Sequence, residues 1–160
     1  MTHKRTKLPL NIASGHIVRY LGSGEIKNYL VDWLHAYGAD RQGVNTKSYL
    51  WHVFSWDRYP ALAGNAAKAE YASHVAPEYI VLSNERDQGV ETDLRPEEIS
   101  WADCLVFPPN LAWTMAFTHE DGWYGPYFAK HKHYAALQSE NEKKLEKARQ
   151  AAVAKAKSWW

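Results

Sequence analysis

The sequence predicts an α+β fold: one domain with a mainly antiparallel sheet of four or five strands, helices near residues 24–37 and 60–75, and a long C-terminal helix over 133–158. Three observations predict it. Ile26, Tyr29, Leu30, Trp33, Leu34 and Tyr37 recur at helical spacing and form one continuous apolar stripe. The apolar runs 79–82, 104–107 and 111–118 follow one another without a full helix between them, and short connections favour antiparallel pairing. From about His133 the chain is rich in Ala, Glu and Lys with only a thin apolar stripe, which suits a solvated helix.

Each element has its own signal. Residues 1–15 read as a loosely held tail, and residues 16–160 as the domain. Residues 16–20 (HIVRY) suit a short strand. Gly22-Ser23-Gly24 opens the first helix, Glu25 favours its N-terminal dipole, and Gly38 supplies a stop. Residues 49–56 (YLWHVFSW) are aromatic and β-branched enough to predict a strand. Pro60 fits the first turn of an alanine-rich second helix that Pro77 ends. Residues 79–82 (YIVL) are apolar throughout and predict a central strand, followed by a turn over 83–89. Residues 95–99 (RPEEI) predict one helical turn. Pro108-Pro109 separates the strand at 104–107 from that at 111–118, where Leu111, Trp113, Met115 and Phe117 share one face.

At 160 residues the chain buries roughly 70% of its unfolded surface, so it needs neither disulfide nor structural metal to fold. Cys104 is the single cysteine, and no cationic neighbour in its apolar setting lowers its pKa. The basic start is interrupted by Pro9, Asn11 and Ser14 before it reaches signal-peptide length, and no run approaches the ~18 apolar residues of a membrane span. The expectation is a cytoplasmic protein that engages no membrane.

The net charge of +1 conceals segregation. Residues 70–121 hold eleven Asp/Glu against two Lys/Arg, while both flanking segments are basic. Glu85, Asp87, Glu91, Asp93, Glu97, Glu98 and Asp103 lie close together in this stretch. Such a concentration repels nucleic acid and speeds encounter with a basic protein.

Residues 113–128 (WTMAFTHEDGWYGPYF) are the densest chemistry in the chain. His119 and Glu120 leave a strand end, a common place for active-site groups. If the strand at 49–56 is a neighbour, His52, His119 and Glu120 converge into an acid–base set for a small hydrolase-like enzyme. Trp123, Tyr124 and Tyr127 instead suit a binding surface, because aromatic side chains anchor interfaces. Other signals are weaker. His131-Lys132-His133 has metal-ligand spacing but lies among lysines, so no metal is expected. Gly22-Ser23-Gly24 lacks the rest of a phosphate-binding motif, and no cofactor is expected. Lys143, Lys144, Lys147, Arg149, Lys155 and Lys157 are interleaved in part with Glu140, Glu142 and Glu146, which reads as helix-surface pairing and not as a nucleic-acid interface.

Residues 50–55 (LWHVFS), the strand at 103–107, Trp113-Thr114, then Thr118-His119-Glu120 and Gly125-Pro126-Tyr127-Phe128 resemble, in order and spacing, a bacterial family catalogued as domain of unknown function 4275. The likeness covers roughly residues 26–130; the tail after Phe128 departs from it. The resemblance supplies no catalytic assignment. By analogy of protein type it implies a cytosolic immunity protein or antitoxin. Its partner would be a basic bacterial toxin such as a nuclease, met by Glu85, Asp87, Glu91, Asp93, Glu97, Glu98, Trp123, Tyr124 and Tyr127. Self-association through the C-terminal helix is a further expectation.

Overall fold

A computed structural model describes residues 10–38, 49–120 and 123–159. Its elements are β1 (Ile12–Ala13), β2 (Ile17–Tyr20), α1 (Ser23–Tyr37), a 3-10 helix (Leu50–Asp57), β3 (Leu62–Ala63), α2 (Asn65–Ser73), β4 (Tyr79–Ser83), β5 (Gly89–Thr92), β6 (Glu98–Ile99), β7 (Cys104–Phe107), β8 (Trp113–Phe117), β9 (Tyr127–Lys130) and α3 (Tyr134–Lys157). One sheet has seven strands in the order β2-β5-β4-β7-β8-β9-β3, and β1 pairs with β6 in a separate ribbon. Every pairing is antiparallel. The chain is a single α+β domain.

Strand alternation divides the core between the two faces of the sheet. Ile80, Leu82, Leu105, Phe107 and Ala116 meet Ile26, Leu30 and Trp33 of α1 and Leu50 and Phe54 of the 3-10 helix. Val81, Val90, Val106, Trp113, Met115 and Phe128 meet Ala67 and Tyr71 of α2 and Leu137 of α3. Each aliphatic or aromatic side chain buried this way contributes roughly 1.5–3 kcal/mol. The sheet is thus the middle of three layers.

The sheet is wider than four or five strands because β3, β5 and β9 are short and weakly marked. Gly89 opens β5 under close core packing: a Cβ would lie 2.7 Å from Leu82 Cδ2 and 3.0 Å from Leu21 Cδ1, so both leucines would have to shift. The predicted strand at 49–56 is a 3-10 helix. Leu50 and Val53, and Trp51 and Phe54, are all buried, a three-residue repeat that strand alternation cannot supply. Its first turn is held from afar, with the Leu50 N–H donating to Asn84 Oδ1 at 3.0 Å.

Three more boundaries differ from expectation. Residues 62–63 pair with β9, so α2 starts at Asn65 and not at Pro60. Residues 95–99 form no helical turn; Glu98 and Ile99 pair with Ala13 and Ile12, which also ties down the end of the expected tail. Residues 1–9 lie outside the described residues. Leu111 leaves the face of Trp113 and Met115 because its backbone is left-handed (φ 62°), and it packs on the α1 side.

The base of α3 is anchored by polar side chains. Asn110 Nδ2 donates to the Leu137 carbonyl at 2.9 Å, Gln138 Nε2 to the Val75 carbonyl at 3.1 Å, and Asn141 Nδ2 to Asn110 Oδ1 at 3.2 Å. Beyond Leu145 every described residue of this segment is exposed, Trp159 included. No helix among the described residues is long and apolar enough to cross a membrane.

One buried polar contact locks α1 to the sheet: Trp33 Nε1 donates to Thr114 Oγ1 at 2.9 Å, with both residues fully buried. Thr114→Val keeps the shape and removes the acceptor. The variant should lose about 1–3 kcal/mol of stability in urea denaturation, the cost of an unsatisfied buried N–H.

Candidate functional site

The site is built at the sheet end where β4 finishes, β7 starts and β8 finishes. Cys104 pairs with both Ser83 and Phe117, so the register places residues 84, 103 and 118–119 side by side. Asp103 uses that position. Its carboxylate accepts from Trp51 Nε1 at 3.1 Å, from the His119 backbone N–H at 3.1 Å and from His119 Nδ1 at 3.0 Å. Asn84 holds the neighbouring turn of the 3-10 helix. The two side chains thus fix that helix against the sheet end.

Between the 3-10 helix and the β8–β9 connection lies a cavity of about 300 Å³. Its walls are the rings of Tyr49, Trp51, Tyr124 and Tyr127, and its polar groups are His52, Ser55 and Glu120. The planes of Tyr49, Tyr124 and Tyr127 lie within 26° of that of Trp51. The connection that carries Tyr124 is braced. Thr118 Oγ1 donates to the Tyr124 carbonyl at 2.6 Å, and the backbone N–H groups of Trp123 and Tyr124 both donate to the Glu120 carbonyl at 2.9 Å. Gly125 is required there: its φ is 89°, and a Cβ would lie 2.9 Å from Thr118 Cγ2 and 3.0 Å from the Tyr127 ring. There Trp123 is 89% exposed and Tyr124 56% exposed, whereas Tyr127 is buried.

The two histidines are tuned in opposite directions. The hydrogen bond to Asp103 holds the His119 pKa above its ordinary value, and the charges of Asp103 and Glu120 add to it. Burial lowers the His52 pKa, against the pull of Glu120. His119 is engaged through both nitrogens, by Asp103 at Nδ1 and by Glu120 Oε1 3.5 Å from Nε2. His52 Nδ1 lies 3.3 Å from Ser55 Oγ.

His52 and Glu120 therefore meet at one cavity with His119 beside it, although His52 sits on a 3-10 helix and not in a strand. Trp123, Tyr124 and Tyr127 belong to the same end. The acidic residues do not assemble into one patch. Glu85 and Asp87 lie in the β4–β5 turn, near the site, where Asp87 Oδ1 accepts from Ser83 Oγ at 3.2 Å. Glu91 is on the α1 side, 3.7 Å from Arg19, which also pairs with Glu25 at 2.8 Å. Asp93 accepts from the His16 N–H at 2.6 Å, a bond that lowers its pKa. Glu97 and Glu98 lie on the other side of the sheet, beside α2 and β1. Alternation along β5 and the crossing of residues 93–101 over the α2 face separate them.

Sequence reasoning placed Asp103 among generic acids and gave Tyr49, Trp51 and Ser55 no role at a site. A usable signal was present in the i, i+3 spacing of His52 and Ser55, which shares one side of a 3-10 helix. Elsewhere, His131 and His133 have ring centroids 5.6 Å apart. Among the described residues no group of three or more His, Cys, Asp or Glu is placed to hold a metal ion.

The fold and site define an α+β protein with a preformed, aromatic-walled cavity at one end of an antiparallel sheet. The chain belongs to the domain-of-unknown-function family DUF4275, which matches residues 32–128, more than half of its length. That span includes Trp51, His52, Ser55, Asp103, His119, Glu120 and the cavity's tyrosines. No curated protein and no solved structure matches the chain.

The opposed histidines give a pH signature. His119 binds its proton more tightly folded than unfolded, so its stabilisation is present below the ordinary midpoint of about 6.5 and fades as pH rises through its folded value. His52 has the opposite sign, its contribution present above that midpoint and lost on acidification. Side-chain NMR titration should find His119 titrating above about 6.5 and His52 below it. Asp103→Asn should move the His119 midpoint down toward the ordinary value; an unmoved midpoint would contradict the pairing.

Proposed function

We propose that this chain is a binding protein of the immunity or antitoxin type, which neutralises a basic bacterial toxin in the cytoplasm by docking its aromatic sheet end onto that partner. The observation that carries this reading is the exposure of Trp123 and Tyr124 on a braced turn. An aromatic anchor on a backbone tied by hydrogen bonds loses less conformational freedom on binding than one on an untethered loop. Together with the cavity beside it, Trp123 matches the anchor residues that dominate protein interfaces.

Charge supports a basic partner. Glu120 lines the cavity, and Glu85 and Asp87 stand at the same end of the sheet. The acids on the other faces contribute to the long-range field, which steers encounter over roughly a Debye length of 8–10 Å. They make no part of the contact surface in this reading, which narrows it to the sheet end.

One contact favours a second reading, a small hydrolase: the approach of His52 Nδ1 to Ser55 Oγ at the cavity wall. A neutral His52 suits a general base. His119 does not, because both of its nitrogens are engaged by carboxylates and its pKa is raised.

The product of the gene adjacent to this chain's own gene is the partner to test. Co-expression should protect cells from that product, and the purified proteins should form a complex. Trp123→Ala should weaken it by about 2 kcal/mol or more, a roughly thirty-fold rise in Kd. Ser55→Ala, which removes one acceptor from the cavity wall, should weaken the complex less than Trp123→Ala and retain protection. Protection lost with Ser55→Ala but kept with Trp123→Ala would replace this reading with the enzymatic one.

A further inference from the structure

The cavity has a more particular chemistry than an aromatic surface requires. Its four rings are nearly coplanar in orientation, with interplanar angles to Trp51 of 26°, 18° and 26°. A tetrahedral ammonium is best held by rings set at steep angles around it, whereas a flat group stacks on parallel faces. The wall is also rich in acceptors. Glu120 offers a carboxylate and Ser55 a hydroxyl oxygen, and no Lys or Arg lines the space among the described residues. With His119 protonated or neutral, the adjacent Asp103–His119 pair adds no net positive charge, so Glu120 keeps the inside negative. A nucleobase is flat, but it presents acceptor atoms beside its donors, and these oppose a wall that is itself rich in acceptors. A flat group with several N–H donors, no acceptor and a positive charge satisfies every one of these features.

We infer that the cavity is a receptor for one arginine side chain of the partner protein, its guanidinium stacked on the exposed face of Tyr124 and paired with Glu120. This rests on the proposed binding function in one respect only, that the cation arrives on a protein. A volume of about 300 Å³ accommodates a guanidinium and part of its stem, and the exposed Trp123 at the rim would cover the rest of the partner's segment. Trp51 is nearly buried beneath the other rings and fixed by Asp103 through its indole N–H, so it serves as a rigidly placed wall.

The test uses the full chain labelled with nitrogen-15 and follows the Trp51 indole N–H and the His52 ring, with the buried Trp33 indole as an internal control. N-acetyl-arginine methylamide should shift the first two saturably with a millimolar Kd and leave Trp33 unmoved. Its neutral isostere, N-acetyl-citrulline methylamide, should bind at least tenfold more weakly, and so should tetramethylammonium. Glu120→Gln should weaken the arginine derivative at least fivefold, and Tyr124→Ala should do the same by removing a stacking face. Equal binding of the citrulline derivative would overturn the charge assignment, and equal binding of tetramethylammonium would overturn the planar one. Free agmatine binding a hundredfold more tightly than the arginine derivative would overturn the side-chain source and make the cavity a small-guanidine site. Failure here is separable from failure of the proposed function. A toxin complex that depends on Trp123 but is indifferent to Glu120→Gln defeats the arginine receptor alone. Arginine binding without any toxin complex defeats the immunity reading alone.

Discussion

A single carboxylate sets the geometry of this protein's functional end. Asp103 accepts hydrogen bonds from the Trp51 indole, the His119 backbone and the His119 ring, and so joins the 3-10 helix to the exit of β8. Hydrogen bonds to an ionised acceptor are about twice as strong as neutral ones. Without that carboxylate the indole of a nearly buried tryptophan would lose its partner, and the cavity would lose the wall that orients the other rings. Asn84 performs the parallel task one strand away by receiving the Leu50 N–H.

The rest of the fold makes that placement possible. Antiparallel register along β4, β7 and β8 sets residues 84, 103 and 118–119 next to one another at one edge. The two-sided core then holds the strands rigid, so the polar residues at their ends inherit a fixed spacing. Four of the eight tryptophans illustrate the consequence. Trp33 and Trp113 are fully buried on opposite faces of the sheet, Trp51 is buried with one polar tether, and Trp123 stands in solvent on a braced turn. The acidic run divides as well, because strand alternation and a crossing connection carry its members to different faces.

Much of this was legible in the sequence where a local period or stop exists. The stripe from Ile26 to Tyr37 gave α1, the continuous apolar runs gave β4 and β7, and the prolines and alternation around β8 gave its bounds. The meeting of His52 and Glu120 was expected only for neighbouring strands, and it is reached through a 3-10 helix instead. What failed depended on contacts remote in sequence. The 3-10 helix looks like a strand by composition, and its cap by Asn84 and its tether by Asp103 come from residues far along the chain. Residues 95–99 have helical chemistry, yet pairing with β1 overrides it. Asp103 reads as one more acid in a run because nothing local reveals that it faces an indole and an imidazole across the sheet end.

Hydrogen exchange, resolved by segment, tests the central role of Asp103 most directly. In Asp103→Ala the amides of the 3-10 helix should lose protection selectively, while those of β4, β7 and β8 stay as slow as in the parent chain. Unchanged protection of the 3-10 helix would show that the aromatic cavity stands without that carboxylate and would contradict the account.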